Sequence, residues 1–161
     1  MPDHPCNVLF LCTGNSCRSS IAEALLNHLD GSRFNGYSAG SHPAGRVNPG
    51  AIQALKRQGI AAHGLRSKNW DEFDTAGAPV MDVIITVCDN AAGETCPVWP
   101  GHPLTAHWGL SDPALFKGTD EETAAVFDAT LHQLEGLIRG FLDLPQDQRT
   151  AKNVNGLLTA G

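Results

Sequence analysis

The residues best suited to chemistry in this sequence are a cysteine and an arginine six positions apart, Cys12 and Arg18. The segment between them contains Gly14 and Asn15, which favour a turn, and an apolar run precedes it. A strand that leads through such a turn into a helix makes successive backbone N–H groups converge on one point, which suits an anion. Arginine can bind two oxygens of a tetrahedral oxyanion at once. We therefore expect an oxyanion site with a cysteine nucleophile.

The loop N–H groups and the helix dipole should also stabilise a thiolate at Cys12 and make it nucleophilic near neutral pH. The predicted oxyanion-binding residues follow it directly: Thr13, Gly14, Asn15, Ser16, Cys17, Arg18 and Ser19. The Ser19 hydroxyl can donate to the thiolate. The cysteine-to-arginine spacing alone is a weak signal, and Ser16, Cys17 and Ser19 could equally be a helix cap or packed small residues.

Strand-like and helical patterns alternate along the chain and indicate an α/β fold. The apolar, strand-like runs are residues 7–11, 34–38, 82–87 and 105–110. This alternation predicts a single domain over residues 1–161, with an open parallel four-stranded sheet and helices on both faces. After Pro145 we expect an irregular or loosely docked end.

Capping patterns indicate where helices begin. Asn48 before Pro49 predicts one helix start, and Thr119 with Glu122 three residues later predicts another. Ser67 predicts the cap of a short helix that runs through residue 73.

Residues with chemical potential follow three of the predicted strands. Cys12 and Cys88 each follow a strand directly, and Asp112 lies just beyond a third. Parallel sheets bind ligands at the carboxyl ends of their strands, so we expect one crevice to hold all three residues. Cys88 and Cys96 could instead be two buried small hydrophobes, but the polar residues between them favour an exposed segment.

Composition narrows the class of protein. The net charge of −6 and the lack of a lysine or arginine run disfavour nucleic acids and anionic membranes as partners, so a small substrate is favoured. Five unevenly spaced cysteines argue against a structural disulfide framework, and their spacing is too wide for usual zinc sites, so we predict no metal. The first residues do not resemble a signal peptide, which predicts a cytoplasmic protein with reduced cysteines.

The loop and four shorter motifs resemble the low-molecular-weight tyrosine phosphatase superfamily over about residues 7–141. The motifs are Cys12 to Ser19, Ala22-Glu23, Ser38-Ala39-Gly40, Val47-Asn48-Pro49 and Arg66-Ser67-Lys68. The resemblance implies a low-molecular-weight phosphatase-like fold with Cys12 and Arg18 in the active site. It also implies that Asp112, before Pro113, is the general acid, whereas spacing alone favours a turn aspartate.

A segment further along the chain resembles one branch of this superfamily. Residues 88–97 are similar to the redox segment of the phosphatase-fold arsenate reductases, as is the His107-Trp108 pair. Ala114 and Leu115 stand where tyrosine phosphatases usually carry aromatic residues. The resemblance therefore favours an oxidoreductase.

The activity implied by that resemblance is reduction of arsenate to arsenite through a Cys12 adduct, followed by thiol–disulfide exchange through Cys88 and Cys96. Phosphate and sulfate would compete for the site. No bound cofactor is implied, and an external dithiol, thioredoxin or else glutathione with glutaredoxin, would regenerate the thiols. Two alternatives stay open, namely a phosphatase acting on phosphotyrosine or small phosphomonoesters and a non-enzymatic oxyanion-binding redox sensor.

Overall fold

A four-stranded parallel sheet organises the described part of the molecule. The computed structural model describes residues 5–62, 64–73, 75–87 and 103–160. Its strands are β1 (Cys6–Leu11), β2 (Phe34–Ala39), β3 (Val83–Thr86) and β4 (Leu104–His107). They lie in the order β2-β1-β3-β4 with every neighbouring pair parallel, which confirms the predicted sheet.

Helical elements cover both faces of this sheet, with the α-helices of the described residues on one face and a short 3-10 helix on the other. The α-helices of the described residues are α1 (Arg18–Asp30), α2 (Pro49–Arg57), α3 (Asp120–Asp143) and α4 (Ala151–Ala160). Their buried apolar residues share one core with Val8 and Phe10 of β1. The alternate residues Leu9 and Leu11 face the other way, where a short 3-10 helix (Trp70–Phe73) covers them. This alternation of buried residues on a central strand is what a sheet enclosed on both faces requires.

Two of the predicted helix starts are confirmed by their capping contacts. The Asn48 side chain accepts a hydrogen bond from the Gly50 N–H at 2.8 Å, with Pro49 in the first turn of α2. At the start of α3, Thr119 and Glu122 form both hydrogen bonds of a capping box, at 3.0 and 3.1 Å. Each cap satisfies N–H groups that the first helical turn leaves unpaired.

The predicted role of Ser67 is wrong. Its hydroxyl does not cap the short helix but donates to the Gly14 carbonyl oxygen at 3.0 Å and accepts from the Gly45 N–H. The cap is Asn69, whose side chain accepts from the Asp71 N–H at 2.8 Å. Serine and asparagine both cap helices, and a tertiary contact with the loop decides between them.

The irregular end expected after Pro145 is also wrong, because α4 occupies it. Val154 of this helix is fully buried, and its carbonyl oxygen accepts a 2.8 Å hydrogen bond from the Trp108 indole N–H. The side chain of Asn155 accepts from the His107 N–H at 2.7 Å. Contacts to β4 therefore override the weak helix propensity of a segment rich in asparagine and glycine. No helix in the described part of the chain is long and apolar enough to cross a membrane.

Candidate active site at the carboxyl end of the sheet

Cys12 lies at the carboxyl end of the central strand. It follows β1 directly, its N–H donates to the Ala39 carbonyl oxygen at 3.2 Å, and its exposed fraction is only 4%. On the neighbouring strand, the Val87 N–H donates to the Leu11 carbonyl oxygen at 2.8 Å. Residues 88–102 lie outside the described residues, and Cys88 and Cys96 are among them. The structure therefore places the first predicted cysteine at the strand end and leaves the other two as predictions.

The loop after Cys12 is held from one side through its carbonyl oxygens. Those of Thr13 and Gly14 accept hydrogen bonds at 2.9 Å from the N–H groups of His42 and Ala44. That of Ser16 accepts from the Asn48 N–H at 2.8 Å. Segment 42–48 thus fixes three of the loop's peptide units.

The N–H groups of the same peptide units point the other way. In a trans peptide the carbonyl oxygen of one residue and the N–H of the next have opposite directions, and the described chain contains no cis peptide. The N–H groups of Gly14, Asn15 and Cys17 therefore face away from segment 42–48. Within the described part of the chain, none of the three donates a hydrogen bond to another residue. These three N–H groups are therefore available as donors, as the predicted anion site requires.

Asn15 gives the loop its turn. It is fully buried and has a φ of 45°, in the left-handed region that asparagine tolerates better than most residues. Its side-chain amide donates to the Ser19 hydroxyl at 2.9 Å and accepts from the Lys68 N–H at 2.8 Å. Because Ser19 accepts the bond from Asn15, its own proton is available for another acceptor, as the proposed donation to a thiolate requires.

Cys17 belongs to the same loop as Cys12 and is buried to a similar extent. It packs into the main core with 3% of its surface exposed. Burial raises the pKa of its thiol to about 11, and the nearby Asp112 carboxylate adds to the increase, against the lowering effects of Ser16 and Arg18. Burial therefore favours the protonated form of the Cys17 thiol.

Arg18 joins the loop to the segment beyond β4. One terminal nitrogen, Nη1, donates to the Leu110 carbonyl oxygen at 2.7 Å, and Nη2 lies 3.5 Å from Asp112 Oδ2. The Nε atom is buried and has no hydrogen-bond partner among the described residues. A buried donor without an acceptor is costly, and an oxyanion in the loop would supply one.

Asp112 lies beyond the carboxyl end of β4, as predicted. Its Oδ1 accepts a 3.0 Å hydrogen bond from the Ala114 N–H and so caps a short 3-10 helix (Pro113–Leu115). Its Oδ2 contacts Arg18, and the side chain is 28% exposed. Asp112 therefore caps a turn, as its spacing indicates, and also lies beside the anion loop.

Gly40 lets the end of β2 approach the loop. A Cβ atom at this position would lie 2.4 Å from the carbonyl oxygens of Cys12 and Thr13, which is a severe clash. The Gly40 N–H donates to the Lys68 carbonyl oxygen at 2.9 Å. The glycine of the Ser38-Ala39-Gly40 motif is thus explained by a close approach of two backbones.

Residue patterns did not indicate two supports of this site. The Leu110 carbonyl oxygen orients Arg18, but a backbone atom leaves no signal in residue types. A group made of the buried Ser38 and Lys68 and the half-buried Glu23 lies next to the loop. Their only sequence signal is that all three belong to the quoted motifs. These three residues are far apart in the sequence, so only the fold brings them into contact.

Comparison with known proteins places this geometry in a family. A model of the family "Low molecular weight phosphotyrosine protein phosphatase" matches residues 7–155. The chain belongs to this family. Its site of Cys12, Arg18 and Asp112 lies within the matched region.

Within the family, several of the similar relatives are arsenate reductases. The arsenate reductase of Halalkalibacterium halodurans is 38% identical over 136 residues, which cover 84% of this chain and 94% of the relative. A solved structure of an arsenate reductase in the phosphate-binding state has a TM-score of 0.65 and 27% identity, over 85% of this chain and 96% of the other. The thioredoxin-dependent arsenate reductase of Corynebacterium glutamicum has a TM-score of 0.57 and 27% identity, over 86% and 64%.

Proposed function

We propose that this protein is an arsenate reductase with Cys12 as nucleophile and Cys88 and Cys96 as the thiols that complete electron transfer. The observation that carries the proposal is the buried Nε of Arg18, which has no hydrogen-bond partner among the described residues. With the loop N–H groups that face away from segment 42–48, it forms a donor set that suits a tetrahedral oxyanion. The arsenate reductases among the relatives favour arsenate as that oxyanion.

In the first step, the Cys12 thiolate attacks arsenic and one arsenate oxygen leaves. The loop N–H groups and Arg18 hold the other oxygens and stabilise their negative charge. Asp112, whose Oδ2 lies 3.5 Å from Arg18 Nη2, donates a proton to the leaving oxygen, which departs as water. The product is a thiol–arsenate adduct in which arsenic is still As(V).

The two-electron reduction occurs in the second step. The Cys88 thiolate attacks the Cys12 sulfur, the sulfur–arsenic bond breaks, and its electron pair stays on arsenic. Arsenite leaves, and a Cys12–Cys88 disulfide remains. Cys96 then attacks Cys88, which frees the Cys12 thiolate and leaves a Cys88–Cys96 disulfide. Two disulfides that share Cys88 require the segment between residues 88 and 96 to rearrange, because bridged Cα atoms lie within about 7 Å.

An external dithiol must reduce the final disulfide, and we propose thioredoxin. With three thiols in one chain, the relay ends in an intramolecular disulfide between Cys88 and Cys96. A dithiol reductant can reduce such a disulfide. The similarity to a thioredoxin-dependent arsenate reductase agrees with this choice. Glutathione with glutaredoxin is the alternative donor.

The relay also requires cysteines that start as thiols, so we propose a cytoplasmic location.

The test is arsenate-dependent oxidation of NADPH with thioredoxin and thioredoxin reductase, run beside hydrolysis of an aryl phosphate. We expect turnover with arsenate, inhibition by phosphate, and slow aryl phosphate hydrolysis. Glutathione and glutaredoxin replace thioredoxin in a parallel assay to identify the donor. Rapid aryl phosphate hydrolysis without arsenate reduction in either assay would contradict the proposal and identify a phosphatase.

A further inference from the structure

A buried lysine lies directly next to the candidate anion loop. In the described part of the chain, Lys68 is the only charged residue among those classed as buried, with 8% of its surface exposed. Lysine is almost never enclosed in this way unless its ammonium group has partners. Its environment therefore requires an explanation that packing alone does not give.

One partner of the Lys68 ammonium group lies on another element, and the other lies in its own segment. Its Nζ lies 3.7 Å from Oε1 of Glu23, on α1, and donates to the Arg66 carbonyl oxygen at 3.1 Å. The same Oε1 accepts a 2.6 Å hydrogen bond from the hydroxyl of Ser38, on β2. Burial raises the pKa of Glu23 and lowers that of Lys68, and each charge counteracts the shift of the other. The pair thus ties the segment before the 3-10 helix to α1 and β2.

The backbone of Lys68 contacts the loop. Its N–H donates to the side-chain oxygen of Asn15 at 2.8 Å, and its carbonyl oxygen accepts from the Gly40 N–H at 2.9 Å. Asn15 is the residue that turns the loop, and Gly40 lies against the carbonyl oxygens of Cys12 and Thr13. A shift of the Lys68 backbone would therefore displace two supports of the loop.

Stability alone does not account for a buried ion pair. The cost of removing two charges from water roughly cancels their attraction, and apolar replacements of a buried pair are often neutral or stabilising. In some proteins such a pair instead fixes the position of the groups that carry the charges. We propose that Glu23 and Lys68 are positioning residues, whose ion pair holds the Lys68 backbone against Asn15 and so keeps the loop in its oxyanion-binding shape.

This inference rests on the proposed function only in taking a tetrahedral oxyanion as the ligand. Its test is the affinity of the reduced protein for inorganic phosphate, measured by calorimetry, together with the melting temperature. The variants are Lys68→Met, Glu23→Gln and the double variant. Arg57→Met is the matched control, because Arg57 forms a 2.7 Å ion pair with Asp128 on the surface between α2 and α3.

We expect each single variant to bind phosphate at least about tenfold more weakly, since small displacements of a binding group reduce affinity strongly. The control should bind like the wild type. The double variant should regain stability, because no unpaired charge stays buried, but its phosphate affinity should stay low. Lys68→Arg, which keeps the charge, should recover part of the affinity. If Lys68→Met does not fold, the phosphate affinities of Glu23→Gln and of the double variant test the inference.

Two results would overturn the inference. One is a folded single variant with wild-type phosphate affinity, and the other is a double variant that regains both stability and affinity, since the pair would then have no positioning role. A wild-type protein that binds phosphate but does not reduce arsenate would contradict the proposed function and leave this inference intact. A wild-type protein that binds no phosphate would overturn both.

Discussion

Arg18 and Asp112 are in contact, with Nη2 of the arginine 3.5 Å from Oδ2 of the aspartate. The same guanidinium group carries the unpartnered Nε of the candidate anion site. The contact therefore places a carboxyl oxygen beside the guanidinium group that would bind the oxyanion. A proton donated from that oxygen would have a short path to the substrate.

Asp112→Asn should slow formation of the thiol–arsenate adduct by about 10²- to 10⁴-fold, the usual contribution of a general acid. The asparagine keeps the side-chain oxygen that accepts from the Ala114 N–H, so the local turn should survive. Single-turnover consumption of arsenate is the measurement, because steady-state turnover can hide the loss if a later step limits the rate. An unchanged single-turnover rate would remove Asp112 from the mechanism.

Arg18→Lys should reduce kcat/KM for arsenate by about 100-fold or more. Lysine keeps the charge, but it cannot contact the Leu110 carbonyl oxygen and Asp112 while also presenting a further N–H to the substrate. Steady-state kinetics with arsenate is the measurement. Arg57→Lys, at an ion pair on the surface, is the matched control and should be close to the wild type. Near-normal kinetics of Arg18→Lys would argue against bidentate binding of the oxyanion.

Cys12→Ser should abolish both arsenate reduction and any aryl phosphate hydrolysis, because a serine hydroxyl is not ionised at neutral pH. Cys6→Ser makes the same change at the start of β1, where burial, with a contribution from Asp82, raises the thiol pKa to about 11 against the lowering effect of Arg149. This control should keep its activity in the same two assays. Substantial turnover by Cys12→Ser would show that the nucleophile lies elsewhere.

Cys96→Ser should convert about one equivalent of arsenate and then stall, because no internal thiol remains to resolve the Cys12–Cys88 disulfide. Mass spectrometry of the stalled variant should find Cys12 linked to Cys88. The wild-type protein, oxidised by arsenate without a reductant, should instead contain a Cys88–Cys96 disulfide.

Normal turnover of Cys96→Ser with thioredoxin, or with glutathione and glutaredoxin, would contradict the relay. The external thiol would then attack an earlier intermediate directly. In that case Cys96 would have no part in electron transfer.

Much of the fold follows from patterns that depend on near neighbours in the chain. The alternation around Leu9 and the capping box at Thr119 and Glu122 are local, so the sheet and the start of α3 could be predicted. The loop after Cys12 was predictable for the same reason, since a turn between a strand and a helix is set within a few residues.

The two wrong predictions, for Ser67 and for the segment after Pro145, concern contacts between residues that are distant in sequence. Ser67 bonds to Gly14, 53 positions away, and α4 is held by contacts between Trp108 and Val154, 46 positions apart. The ion pair of Glu23 and Lys68 belongs to the same class, because neither residue type predicts the other as its partner. Local propensity cannot supply such pairings, and tertiary packing overrides it where they form.

The C-terminal helix has a consequence for association between molecules. β4 is an outer strand of the described sheet, and outer strands offer N–H groups to which a strand of another copy can pair. Asn155 of α4 occupies one of these groups, the His107 N–H. Asn155→Ala should therefore increase self-association at high concentration, detectable by light scattering, whereas Lys152→Ala, on the exposed surface of the same helix, should not. We therefore expect α4 to limit edge-to-edge pairing of the sheet that carries the candidate site.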